Sequence, residues 1–306
     1  MFDAISAWLT ANSNLVNDTG LNALFALSTY VMVACGQLSL ATPAYAAIGA
    51  YTAVLLTPLT GPQAPFIVQL ALGALLSTVV AVGLGLPLLR LRGIYLSIAS
   101  IGFVAVVTVF FLNFPPGGEG GGSPFIAQAT ATWQIYLALV ALCYLFWRLQ
   151  GSPIGRGLRA IRQDEAAARS LGIDTVAHKL GAFAVSGLIG GLVGVLYARL
   201  HFEMTPLTFG FQQGVDYLTY VIVGGSFYFL GSPLGALLIT ALPQLFQFLQ
   251  GARAILDGVV LLAVILFLPG GLVDLPGAAR AALRGGRPGR GRPAPIAGAE
   301  QGAQTR

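Results

Sequence analysis

Few residues of this 306-residue chain have the types and spacings that chemistry needs. Lys179 is the sole lysine, and it follows His178 rather than a glycine cradle. With no G-x-x-x-x-G-K-[ST] run either, the chain is not expected to hydrolyse a nucleotide. His178 and His201 lie outside the apolar segments and make no H-E-x-x-H zinc pattern. Ser186 sits in an apolar stretch with no histidine in a plausible partner span, so an intramembrane serine hydrolase lacks its base. Cys35 and Cys143 are far apart within apolar segments, and they read as ordinary buried thiols rather than as ligands or a redox pair. No catalytic, metal-binding or cofactor-binding residue is therefore expected. Asp216 and Asp257 lie near the ends of apolar stretches, and Arg253 precedes Asp257 by four, a spacing that allows pairing on one helix face. Ion-coupled carriers place acids or histidines deep in the bundle, so this scarcity argues against ion-driven transport. The glycine-rich run 115–122 cannot be helical. It is either a flexible linker or a loop whose backbone amides, those of Gly117 and Gly118 among them, face a solute or a docking protein.

The elements that must position these residues are hydrophobic. Apolar residues make up 56% of the chain and charged ones 9%, against about 25% charged in an ordinary soluble domain. Stretches of about 20 apolar residues can span a bilayer, where the backbone must form helices or a closed barrel; runs such as 66–89, apolar all round rather than alternating, read as helices. The sequence predicts spans at 21–40, 44–60, 66–89, 94–113, 133–149, 180–198, 215–230, 234–250 and 254–268. The second is interrupted by Pro43, Gly49 and Pro58, which suits a re-entrant or broken helix. A corner at 231–233 is expected to separate the seventh and eighth.

The formal charge of +5 does not point to nucleic acid, because no Lys or Arg precedes Arg90 and the later ones cluster beside apolar segments. Placing Arg90, Arg92, the stretch 148–179 and the tail after Arg280 in the cytoplasm leaves only Arg199 and Arg253 outside. Nine crossings with the N-terminus out and the C-terminus in satisfy the positive-inside rule; eight result if the second span does not cross. The connection 150–179 is rich in helix formers, with Ser152 before Pro153 as a helix start and Gly172 as a helix stop. It is expected to be a short helical element on the cytoplasmic face. The reading is thus an all-α polytopic membrane protein of 8–9 transmembrane helices with a short cytoplasmic helical loop. An N-terminal segment 1–20 precedes a membrane domain 21–275 and a disordered basic tail 276–306 that touches anionic headgroups. Residues 1–20 have no basic n-region, so no cleaved signal peptide is expected. Gly187, Gly190, Gly191 and Gly194 give two overlapping G-x-x-x-G faces, and Gly231 with Gly235 a third, for close packing within the chain or against a second subunit.

Several blocks, in order, resemble the LivM-type permeases of branched-chain amino acid ABC importers. They are Gly36-Gln37-Leu38-Ser39-Leu40 with Ile48-Gly49-Ala50-Tyr51, then Arg92-Gly93-Ile94-Tyr95-Leu96 and Gly117-Gly118. Gly155-Arg156, Ala160-Ile161-Arg162, Asp164-Glu165-Ala166-Ala167 and Leu171-Gly172-Ile173 resemble that family's cytoplasmic coupling loop. Phe183, Ser186, Pro206, Phe209, Gly224-Gly225 and the segment Phe267 to Leu272 complete a likeness running from about 20 to 275. The chain departs from the family at Pro116, Gly214 and Phe227, where Thr, Ser and Gly are frequent, and sister permeases for urea and short amides share the architecture. The resemblance implies a permease that hydrolyses nothing itself and holds no cofactor. Its expected partners are a second permease, two ATPase subunits that bind ATP, and a periplasmic solute-binding protein, all at a bacterial inner membrane. It points to Arg162, Glu165, Ala166, Ala167 and Gly172 for ATPase coupling, with Arg162 and Glu165 pairing with charges at the partner's rim. Gln37, Ser39, Tyr95, Gly117, Gly118 and Asp216 are the candidates for the solute pathway. The rival readings are an ion-coupled secondary transporter, which lacks visible halves and a buried acid cluster, and a channel, which lacks a filter repeat.

Overall fold

A computed structural model describes residues 13–60, 66–91, 93–114, 130–201, 204–226 and 228–245. Among the described residues the regular secondary structure is all helical, without a strand. In order it forms α1 (Ser13–Ala34), α2 (Thr42–Thr60), α3 (Phe66–Leu88), α4 (Ile94–Asn113), α5 (Thr132–Gly151), α6 (Pro153–Gln163), α7 (Glu165–Ser170), α8 (Thr175–Leu200), a 3-10 turn (Pro206–Phe209), α9 (Phe211–Gly224) and α10 (Gly231–Leu245). It is an all-α polytopic membrane protein. The expected Arg253–Asp257 pair, the ninth span and the tail lie outside the described residues.

Hydrophobicity is distributed as lipid requires. α3, α4, α5 and α8 are long and apolar enough to cross a membrane. α3 turns Ile67, Leu75 and Val79 outward and buries Gln69, Gly73, Ala74 and Ser77. Small and polar residues thus face protein and large apolar ones face out, the pattern of a lipid-facing helix.

α8 is the central strut. Gly187 and Gly191 form one small-residue face, where an added Cβ would lie 3.0 Å from Ser77 O and 2.7 Å from Gly73 O on α3. Gly190 and Gly194 form the other, against Tyr45 and the Ala46 backbone on α2. The two G-x-x-x-G faces therefore serve two different neighbours inside one chain. Gly235 similarly admits α10 to the backbone of α9 at Tyr220 and Gly224.

The first predicted span is the largest correction. α1 starts at Ser13 rather than 21 and stops at Ala34, so 35–41 is not helical. Gly36 takes φ 75°, and Gly36 N and Gln37 N donate to Val33 O and Met32 O at 3.0 and 2.9 Å. This left-handed cap closes the helix because a residue without Cβ adopts that conformation at no steric cost. The break expected around Pro43 lies before it, with Pro43 in the first turn of a continuous α2. The second correction concerns 215–250. The interruption falls at 225–230, opened by Gly225 at φ 110°, and 231–233 forms the first turn of α10.

Pairings across helices fix relative direction. α1 and α8 run antiparallel, with Asp18 beside His201 at one end and Ser28 beside Ser186 in the middle. At the other end Gly36 packs on the Arg162 backbone. Arg90, Arg148, Arg156, Arg159, Arg162, Arg169 and Lys179 gather at that second end, while Arg199 closes α8 at the first. The stretch 150–179 is built as anticipated: Ser152 Oγ accepts from Gly155 N at 3.2 Å to start α6. Asp164 Oδ1 caps α7 at Ala166 N, 2.8 Å away. Gly172, at φ 81°, ends α7 as Ile173 N donates to Ala168 O at 3.1 Å.

Candidate functional site

The break between α1 and α2 carries the buried polar groups that a packed bundle does not need. An extended segment inside protein must satisfy its backbone by other means, and α4 supplies them. Ser97 Oγ donates to Leu38 O at 2.7 Å, and Leu40 N donates to Ser100 Oγ at 3.0 Å. Ser39, 2% exposed, accepts from Ala41 N at 3.3 Å. Gln37 is 4% exposed, yet neither its amide nitrogen nor its amide oxygen has a hydrogen-bond partner among the described residues. Such a group costs about 1–3 kcal/mol, so it marks a place where folding stability was not what shaped the residue. Next to the break, hydroxyls on three helices pair: Thr29 with Thr42 at 3.0 Å and Ser28 with Ser186 at 3.2 Å. Ser186, the serine without a base, is thus one hydroxyl of an interhelical pair.

The other pathway candidates disperse. Tyr95 stands 70% exposed in the first turn of α4, two residues before Ser97. Asp216 lies on α9, where its Oδ1 accepts from Gln212 Nε2 at 3.2 Å. Gly117 and Gly118 lie outside the described residues. At the Arg199 end, a polar cavity of about 220 Å³ is lined by Asp18, Asn22, His201, Gln213 and Tyr217 among others. His201 Nε2 stands 3.3 Å from Asp18 Oδ1 there.

The coupling candidates divide into an outer and an inner set. Ala166, Ala167, Leu171 and Gly172 are exposed, and nothing within 4 Å opposes a Cβ at Gly172. Arg162 and Glu165, expected at a partner's rim, are engaged within the chain. Arg162 Nη1 and Nη2 donate to Ser226 O and Ser226 Oγ at 2.5 and 2.7 Å, clamping α6 to the turn between α9 and α10. Burial pulls this guanidinium below its ordinary pKa, with the Tyr30 phenol opposing. Glu165 Oε1 receives Lys179 Nζ at 2.8 Å and Arg169 Nη2 at 3.1 Å. Lys179, noted in the sequence only for lacking a phosphate loop, is a buried cation that ties α7 to α8. A lone lysine at the edge of an apolar stretch, fourteen residues after an acid, is the only trace of this pair in the sequence.

The bundle thus combines a non-helical break between α1 and α2 that begins at its basic end with a capped amphipathic helix pair at that same end, and comparison with known proteins makes it a transport component of the membrane. The chain belongs to the family described as branched-chain amino acid transport system / permease component, matched over residues 12–269. It is 30% identical over 291 residues to the high-affinity branched-chain amino acid transport system permease protein LivM of Salmonella typhimurium, a match covering 84% of this chain and 66% of that relative. The LivM protein of Escherichia coli is matched to the same extent, so the chain spans just under two thirds of these relatives, at 66%. The ribose import permease protein RbsC of Escherichia coli is 24% identical over 70% of this chain and 68% of its own length. No solved structure matches.

Proposed function

We propose that this chain is one of two permease subunits of an ATP-driven importer for branched-chain amino acids. The observation that carries the reading is the Gln37 amide, buried in the break between α1 and α2 with no partner among the described residues. A primary amide offers both donors and acceptors, which suits transient contacts with the ammonium and carboxylate of an amino acid. Ser39 stands beside it, and the polar cavity at the Asp18 end offers a vestibule on the opposite side of the bundle from the basic loop. Tyr95, Asp216, Gly117 and Gly118 complete the proposed route. The likeness to the LivM permeases supports the solute class, and the weaker likeness to a ribose import permease extends to permeases for other solutes.

Energy comes from two partner ATPases, which bind the ATP; this chain holds no cofactor. The exposed face of α7, with Ala166, Ala167 and Gly172, is the proposed docking surface, small enough for close approach by a partner groove. Glu165 and Arg162 hold that surface onto α8 and the 226 turn rather than meeting the partner themselves. A periplasmic binding protein delivers the solute, and the chain crosses a bacterial inner membrane several times with its C-terminus in the cytoplasm.

The test is Gln37→Leu in the assembled importer. Removing an unpartnered buried amide should leave thermal stability unchanged or raise it, while uptake of labelled leucine falls at least tenfold. Unchanged uptake with unchanged stability would remove Gln37 from the pathway.

A further inference from the structure

A cavity of about 310 Å³ opens at the basic end of the bundle between α1, α5 and α6, and no step proposed above uses it. Its walls are split by chemistry. Phe146, Leu149 and Leu158 supply apolar surface, while Tyr30, Arg159 and Arg162 supply polar groups. Arg162 is committed to Ser226. Arg159 is exposed and donates once, from Nη2 to Gln150 O at 3.1 Å, whereas a guanidinium offers five N–H groups.

The depth of the cavity follows from its neighbours on α5. Trp147 is 62% exposed and Arg148 is exposed beside it, an aromatic–basic pair of the kind found where hydrocarbon meets headgroups. Phe146 and Leu149 sit at the same level on that helix. The cavity therefore has a hydrocarbon-like floor, an uncommitted set of cationic donors at its rim, and a position at headgroup depth on the basic side. Basic pockets between transmembrane helices on that side hold anionic lipid headgroups.

We propose that this cavity binds an anionic phospholipid, with an acyl chain along Phe146, Leu149 and Leu158 and the phosphate at Arg159. The site would join α1 and α5 to α6, the helix that leads into the proposed docking surface. It rests on the membrane reading of the fold alone and not on the solute or the partners.

Native mass spectrometry of the full-length chain in detergent, titrated with phosphatidylglycerol and with phosphatidylcholine, tests it. Phosphatidylglycerol should be retained preferentially, and Arg159→Gln should weaken its retention about fivefold, the worth of one basic residue near an anionic lipid. Arg156→Gln, on the same helix but outside the lining of the cavity, should change nothing. Ala34→Phe, which fills the cavity from α1, should weaken retention without altering any charge. Equal retention of the two lipids, or equal loss in the Arg156 and Arg159 variants, would overturn the site. Displacement of the lipid by millimolar inorganic phosphate would assign the cavity to a free anion instead. Dimers without lipid adducts would assign it to a second copy of the chain.

Discussion

The Glu165–Lys179 pair predicts an asymmetry between its two halves. The Lys179 side chain is 9% exposed and the Glu165 side chain 23%, with 2.8 Å between Nζ and Oε1. Glu165→Ala leaves a buried ammonium without its acid. Breaking a buried pair in this way costs about 3–5 kcal/mol, and the partial exposure of Glu165 puts the loss here at about 3 kcal/mol. Lys179→Met does less, because Glu165 keeps Arg169 at 3.1 Å and some water; about 1 kcal/mol covers the lost attraction. The double variant removes the stranded charge and should return to within about 1 kcal/mol of the Lys179 single variant. Thermal unfolding of the full-length protein in detergent reads all three, and Glu165→Ala should melt several degrees below Lys179→Met. In the assembled importer, the pair also ties the docking surface to α8. Lys179→Met should therefore lower solute moved per ATP hydrolysed while leaving stability nearly intact. Equal melting of the two single variants, or a double variant worse than both, would refute the buried-ammonium argument. Unchanged coupling in Lys179→Met would remove the pair from the coupling path.

Gly172→Ala should cost about 1 kcal/mol, from the left-handed φ of 81° alone, since the space around it is open. Gly172→Leu should cost a similar amount in stability yet lose ATPase assembly or coupled uptake; normal uptake would make 162–172 a plain solvated element. Gly191→Leu should prevent accumulation of folded protein, because even its Cβ would sit 2.7 Å from Gly73 O in backbone that cannot yield, which immunoblotting of membranes would show. Cysteines placed at Arg169 and Leu207 should differ in right-side-out vesicles. An impermeant reagent should label the second and spare the first, and the reverse result would invert the topology.

What the sequence determined by itself was the class of the protein and most of its helices. Composition excludes a soluble domain, and the limits of α3 and α4 follow from apolar runs bounded by Pro65, Arg90, Gly93 and Pro115, because lipid leaves a chain few ways to end a helix. The caps at Ser152 and Gly172 were legible for the same local reason. The role of Gly187, Gly190, Gly191 and Gly194 was half legible: the spacing demanded close neighbours, and only the packing assigned one face to α3 and the other to α2. The break at 35–41 was misplaced because a short run of small, polar and apolar residues looks the same whether its backbone bonds to itself or to serines on another helix. Ser97 and Ser100 lie about sixty residues further on, too far for any local signal. Long-range partners also decided the fates of the charged residues. Arg162 reaches Ser226 and Glu165 reaches Lys179, which turned two expected surface charges into internal ties. Burial is a property of the whole packed bundle, so tertiary structure alone could show that Gln37 is buried with both amide atoms lacking a partner among the described residues.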